Sequence, residues 1–315
     1  MSIQPACFGS SCQYRYDYRN FIGKGSFGKV HKATITERGN YVGPDVVAVK
    51  CFYVHEKGFV ENAENYARLQ ERFEMMLKLK HDHLVDYHQI SIIPTLCSAD
   101  VELVMDYYPG GNLKVGDAIS HALDLANGLA FLHENGITHG DLKPGNVLID
   151  DSNAQRHTLP ISDWDGLVTL QRCSVSSLDY EHFRSSERYM SPEMIHAIEP
   201  LENITTWPPM PDSATDVWSL GCVLHQLIRY ITGDYREILQ HPVSGKVLGE
   251  TEAITDFAFS TAVMQGYVPV VCDAAPVPSE LAVCIRKCLC NTSSQRISPR
   301  QVLDQVSQIS VNHKP

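Results

Sequence analysis

The sequence predicts an α+β chain in two parts: a smaller, β-rich N-terminal part with one long helix, and a larger, mainly helical C-terminal part. Three observations predict it. Between Phe21 and Asp106, short alternating or β-branched runs (residues 30–36, 46–50 and 101–106) are separated by polar or glycine-bearing stretches, the pattern of an antiparallel sheet. One stretch in that region, 62–80, is instead dense in Glu, Arg, Met and Leu, which favour helix. Beyond it, Ile119, Ala122, Leu123, Ala126, Leu129 and Ala130 recur at helical spacing over 117–134 and stop at Asn135-Gly136. Further helices are predicted over 222–231, 251–268, 279–289 and 301–309, with no internal repeat.

At 315 residues the chain has room for about two domains. Hydrophobic residues make up 43%, ample for a buried core. A net charge of −11 argues against general affinity for nucleic acid or anionic membrane. The first 18 residues lack the basic start and apolar core of a secretory leader, and no apolar run is long enough to span a bilayer. Ten cysteines without C-x-x-C pairing read as reduced, mostly buried thiols. Together these features predict a cytoplasmic chain, with a nuclear location also compatible.

The chemistry concentrates in residues 137–149, Ile-Thr-His-Gly-Asp-Leu-Lys-Pro-Gly-Asn-Val-Leu-Ile. A loop of this kind presents the carboxylate of Asp141, the ammonium of Lys143 and the amide of Asn146 to one small volume, ahead of a short apolar strand, 147–149. A carboxylate can take the proton of an attacking hydroxyl, an ammonium can neutralise a transferring phosphoryl group, and an amide oxygen can bind Mg²⁺. Phosphoryl transfer needs that set, because its barrier falls mainly through positioning and charge neutralisation.

Upstream, Phe21-Ile-Gly-Lys-Gly-Ser-Phe-Gly-Lys-Val30 places glycines at 23, 25 and 28. The residues that follow read as a second strand rather than a helix, so the glycines form a strand–turn–strand flap whose N–H groups can approach phosphates closely. Val46-Val-Ala-Val-Lys50 then ends a strand on a lysine. A resemblance of this strand to the lysine strand of the protein kinases implies that the helix over 62–80 supplies a glutamate to pair with Lys50; Glu71 and Glu74 both qualify. Glu71 is preferred because Met75, one turn on, can pack inward.

These motifs, in this order, resemble the protein kinases: the glycine loop, the strand lysine and the catalytic loop H-R-D-L-K-x-x-N. The resemblance covers nearly the whole chain. It implies a bilobal protein kinase fold, with an N-terminal tail (1–17), an ATP-covering lobe (18–108) and a substrate-side lobe (109–315). ATP and Mg²⁺ are the implied cofactors, with Asp141 as proton acceptor and Lys143 on the transferring phosphoryl. Lys50 would bind the α- and β-phosphates. Ile22, Gly23, Gly25, Gly28, Val30 and Ala48 would cover the nucleotide. Met105 would guard the back pocket, the backbones of Asp106 and Tyr108 would meet the adenine edge, and Asn112 and Leu148 would complete the nucleotide contacts. Asn146 and Asp163 would hold the metal.

Later motifs extend the resemblance. Tyr189-Met-Ser-Pro-Glu193 follows a long polar segment that resembles an activation segment. Glu193 should pair with Arg296, and Asp216, in Asp-Val-Trp-Ser-Leu-Gly, should receive backbone N–H bonds from the catalytic loop. Lys143 and Ser186 favour a Ser/Thr acceptor on a protein substrate. The departures are Gly140 where the family has Arg, and Asp163-Trp164-Asp165 where it has Asp-Phe-Gly. A second register takes Gly166 as that glycine. The segment between the linker and the helix at 117 is also short. Two further readings follow from these departures: a nucleotide-binding scaffold with little catalysis, and a small-molecule phosphotransferase, which the activation segment opposes.

Overall fold

A computed structural model of the chain describes residues 6–25, 28–55, 63–94, 98–113, 117–152, 157–164, 187–198, 211–233, 236–250, 254–271 and 277–313. These fall into two compact units, one ending at Pro109 and the other beginning at Gly110. Among the described residues, no helix is long and apolar enough to cross a membrane.

The first unit is an antiparallel sheet with one helix. Its strands are β1 (Ala6–Gly9), β2 (Gln13–Arg15), β3 (Phe21–Gly25), β4 (Gly28–Glu37), β5 (Val46–His55), β6 (Tyr87–Pro94) and β7 (Ser98–Asp106); helix α1 (Ala63–Lys78) lies between β5 and β6 in sequence. The order across the sheet is β1-β6-β7-β5-β4-β2, and β3 pairs with the start of β4. The apolar run of β5 is buried on both faces. Val47 and Val49 face one way, with Ala33, Val104, Cys12 and Tyr41 packed around them. Ala48, Lys50 and Phe52 alternate to the other face and are buried there as well.

Residues 1–17, expected as a tail, contribute two strands. β1 and β2 sit at opposite ends of the strand order. A flat sheet would separate them by about 24 Å at the usual strand spacing, whereas the link from Gly9 to Gln13 reaches at most about 15 Å. The sheet therefore curls until its edges approach. The link is stitched down at each residue: Ser10 N–H donates to His88 O at 2.9 Å, Ser11 N–H to Asn40 Oδ1 at 2.7 Å and Cys12 N–H to Gln89 Oε1 at 2.8 Å.

The second unit is mainly helical: α2 (Ala118–Glu134), α3 (Pro192–Ile198), α4 (Ser213–Thr232), α5 (Asp256–Met264), α6 (Ser279–Cys288) and α7 (Pro299–Asn312). Side-chain caps start several of them. Asp117 accepts Ser120 N–H ahead of α2, and Asp212 with Thr215, and Ser298 with Gln301, form reciprocal capping boxes. α4 is the buried axis, with Val217, Trp218, Leu220 and Val223 all fully enclosed.

The helix expected over 251–268 is shorter, spanning Asp256–Met264. Thr255 caps its start, and the chain turns at Gly266 into β10 (Val268–Pro269), which pairs with β8 (Leu239–Gln240). β8 in turn pairs with β9 (Val247–Leu248). This small sheet was not predicted. Charge anchors it: Glu237 meets Arg188 and Arg229, and Arg188 also reaches Asp256 at 2.6 Å.

The Glu193–Arg296 pair predicted from sequence is present and bidentate, at 2.5 and 2.6 Å. Arg296 Nε and a terminal nitrogen also donate to Cys290 O and Ala214 O, and its guanidinium lies 5.2 Å from the Trp218 ring centre. Partial burial pushes the Glu193 carboxyl up, but Arg296 outweighs this, so the group sits below its ordinary range. Removing one partner of such a pair is costly because the other is left buried and unmatched.

His225 on α4 is fully buried, and its Nε2 donates to Val270 O at 3.1 Å. Burial, reinforced by the nearby Arg229 charge, lowers its pKa to about 4. The folded-state value is thus below the unfolded one, so the unfolded chain binds the extra proton first as pH falls. Stability should decline between about pH 6.5 and about pH 4, by on the order of 2–3 kcal/mol from this group. Urea titrations across that range check it: His225→Gln, which keeps an N–H donor, should show a flatter profile than the parent chain.

Candidate active site

The loop after α2 is held from behind by one carboxylate. Asp216, in the first turn of α4 and fully buried, accepts His139 N–H at 2.7 Å on one oxygen and Gly140 N–H at 2.8 Å on the other. The first oxygen also bonds His133 Nε2 of α2 at 2.7 Å. Sequence reasoning anticipated the backbone bonds but missed His133, because a lone histidine in an apolar helix carries no spacing signal.

His139 is itself buried. Its Nδ1 faces Asp141 N–H at 3.2 Å and its Nε2 faces Ser162 O at 2.9 Å. Nδ1 must accept and Nε2 must donate, which sets the tautomer with the proton on Nε2. One imidazole therefore joins the loop carrying Asp141 to the segment leading into Asp163. Ser162 completes the join: its N–H and hydroxyl both donate to Asn146 O, at 2.8 and 3.1 Å. Alongside, Val147 bridges Ile161, and Leu148 N–H donates to Pro160 O at 2.9 Å.

Three predicted functional groups come together on this frame. Lys143 Nζ lies 2.7 Å from Asp141 Oδ2. Asn146 Nδ2 donates to Asp141 O at 2.8 Å and lies 3.4 Å from Oδ2. With Nδ2 engaged this way, Oδ1 is the atom of the Asn146 amide with the hard oxygen character that suits Mg²⁺. Asp163 has φ of 59°, the one non-glycine positive φ among the described residues. Aspartate tolerates that region better than most side chains, and such strain clusters at functional sites. Trp164 is fully buried. Asn112 bridges Leu148, so these two predicted nucleotide contacts are neighbours.

The first unit gathers another part of the predicted set. Strand register puts Val30 opposite Lys50 and Ala48 opposite Met105, all on one face of the sheet. Lys50 is only 1% exposed. Gly23 pairs with Val30 and Gly25 with Gly28, so the predicted glycine flap is a β3–β4 hairpin, with Ile22 exposed on it. The Asp106 N–H is taken by Asp86 O at 3.1 Å, and its carboxylate meets His88 at 2.7 Å and the Tyr108 hydroxyl at 3.4 Å.

Glu71 is not brought in. That choice required Met75 to turn inward, but among the described residues of α1, 71–78, the buried ones are Phe73 and Met76. Met75 is half-buried, and Glu71 and Glu74 are exposed. The helix is rotated by about one position from the expected phase, which puts Arg72 rather than a glutamate one turn before the buried methionine. The segment 169–186 with Ser186, and Asp165 and Gly166, lie outside the described residues.

Gly140 has φ of +77° while its N–H is held by Asp216. A Cβ there would meet the ordinary left-handed penalty, about 1–2 kcal/mol. Gly140→Ala and Gly140→Arg should each destabilise the chain by about that amount, and Gly140→Asn by less, because asparagine visits this region more readily. Urea unfolding of the three variants checks the order; equal stability of the alanine and glycine forms would contradict it.

Comparison with known proteins agrees with this geometry. A family model described as protein kinase domain matches residues 16–306. Serine/threonine-protein kinase SSK22 of Saccharomyces cerevisiae is 25% identical over 237 residues, covering 69% of this chain and 16% of that protein. MAP kinase kinase kinase SSK2 of the same yeast is 27% identical, covering 70% and 15%. NUAK family SNF1-like kinase 2 of Rattus norvegicus is 26% identical, covering 69% and 31%. The chain therefore spans about a third or less of the length of these curated relatives. With a family match over nearly its whole length and the Asp141–Asn146 loop assembled on Asp216, the chain belongs to the protein kinase family.

Proposed function

We propose that the chain transfers the γ-phosphate of ATP to serine or threonine hydroxyls of protein substrates. The observation that carries this reading is the Asp141–Lys143–Asn146 cluster, held in place through the Asp216 carboxylate. The acceptor oxygen attacks the γ-phosphorus, the bond to the β-phosphate oxygen breaks, and ADP leaves. Asp141 takes the acceptor's proton. Lys143, already 2.7 Å from Asp141, places its positive charge beside that transfer. Lys50 and the backbone of the Gly23–Gly28 hairpin serve the nucleotide's phosphates, and Val30, Ala48 and Met105 its apolar part. Bound Mg²⁺ would neutralise phosphate charge, and Asn146 Oδ1 and the Asp163 carboxylate are the oxygens that would hold it. The name of one relative, serine/threonine-protein kinase SSK22, supports a Ser/Thr acceptor.

Radiolabelled phosphate transfer to generic protein acceptors tests the reading. Asp141→Asn should reduce turnover by about 10²–10⁴-fold, the range for losing a positioned base. It should leave the thermal shift given by ATP with Mg²⁺ intact. Unchanged turnover in that variant would sink the proposal.

A second reading, a nucleotide binder with little transfer, is favoured by the exposure of Glu71 and Glu74 on α1. It predicts an ATP-dependent thermal shift with no label transfer by the parent chain.

Gly140 also bears on regulation, because relatives with arginine there use it to hold a phosphate on the activation segment. Replacing Ser174, Ser176, Ser177 and Tyr180 together with non-phosphorylatable residues should change turnover by no more than a few-fold. A collapse by orders of magnitude would show that the segment is switched by phosphate after all.

A further inference from the structure

β1 does more than lengthen the sheet. A helix with its side chains is about 10–12 Å across, and strands lie about 4.8 Å apart, so a helix needs two strands or more beneath it. α1 rests on β6 and β1. Without β1 it would overhang the sheet edge.

The register shows what lies under and beside that seat. Phe8 pairs with Ile90, Ile90 with Leu103, and Leu103 with Lys50, so the four side chains form a row on one face across four strands. Ile90, Leu103 and Lys50 are all buried. Phe8 stands at the outer end of the row, its ring centre 6.4 Å from that of Phe73, a fully buried residue of α1. Gly9 closes the contact. It has φ of +82°, and a Cβ there would lie 2.4 Å from His88 O and 2.9 Å from a Leu77 methyl of α1. The seat leaves no room for a side chain at that position.

We infer that β1 is a positioning element for the phosphoryl transfer proposed above, with Phe8 and Gly9 as positioning residues. β1 supplies the outer half of the α1 seat, and through α1 it keeps the Lys50 face covered and Lys50 fixed. This rests on the kinase reading, since it assigns β1 a part in that reaction.

The test uses the full chain with Phe8→Ala, Phe8→Leu and Gly9→Ala. Three quantities are read well below each variant's melting temperature. They are kcat and KM for ATP, the rate at which a small activated ester acylates Lys50 (by peptide mass), and amide exchange in residues 71–79 against 101–105. In Phe8→Ala and Gly9→Ala, Lys50 should acylate at least tenfold faster. α1 should lose protection while β7 keeps it, and kcat should fall at least tenfold. Phe8→Leu should recover most of each change.

A folded Phe8→Ala chain with parental Lys50 reactivity and parental α1 protection would overturn the inference. So would a fall in kcat with both of those unchanged. If Phe8→Ala loses β7 protection as well, it has unfolded, and Gly9→Ala and Phe8→Leu decide by the same criteria. A parental chain that transfers no phosphate overturns the kinase reading and the positioning role with it. An active parent with an indifferent Phe8→Ala overturns the inference alone.

Discussion

A buried carboxylate that accepts two backbone N–H groups and an imidazole is a demanding arrangement. Placed at 0% exposure without those donors, Asp216 would be a strongly unfavourable charge. With them, each bond is charge-assisted and worth about 1.5–3 kcal/mol. The dependence runs both ways. Asp216 requires the loop to present the N–H groups of His139 and Gly140 in one direction, and that orientation delivers Asp141 on the far side. His139 relays the constraint to Ser162, and Ser162 relays it to Asn146. Asp141, Lys143 and Asn146 are thus each only a few hydrogen bonds from one buried acid on α4.

In the first unit the corresponding constraint is a sheet enclosed on both faces. The side bearing Val47 and Val49 is closed by Tyr14, Tyr16 and Tyr41. Glu102, on that side, accepts the Tyr14 and Tyr16 hydroxyls at 2.5 and 2.7 Å. Loss of water and the neighbouring carboxylate both drive the two phenols well above their ordinary range, so they stay protonated and remain donors. The opposite side carries the Lys50 row. A sheet closed by aromatic residues on one face and buried along the Lys50 row on the other has little freedom to shift register. The apolar partners of Lys50 are accordingly fixed by the strands themselves.

What could be read from the residues alone divides along physical lines. The catalytic-loop motif and the Lys50 strand were legible because each joins a residue type to a fixed local spacing, and the Asp216 clamp and the Glu193–Arg296 pair because the motifs around them resemble those of the protein kinases. β1 and β2 were not, since Ala-Cys-Phe-Gly and Gln-Tyr-Arg are too short and mixed to show a period; pairing with β6 and β4 makes them strands. The β8–β9 hairpin escaped for the same reason, with Glu237 tied down by arginines distant in sequence. The α1 glutamate was misjudged because helix phase is decided by which apolar residues the sheet receives. Phe73 and Met76 compete with Met75 for that side, and the sequence offers all three.

Gly140 shows how one substitution can be read in two ways. As a charge, it is the absence of a cation next to Asp141. As a conformation, it is a residue at φ of +77° whose N–H must reach Asp216. A side-chain-bearing residue in that place would hold the same backbone only against a left-handed strain, and the Asp216 bonds would have to oppose it. Glycine removes the opposing force, so the clamp here acts on a backbone that already accepts the required angle. The same glycine that leaves no cation beside Asp141 therefore relaxes the loop into its clamped geometry. The two effects point the same way: the order of the Asp141 loop comes from Asp216 behind it and His139 beside it.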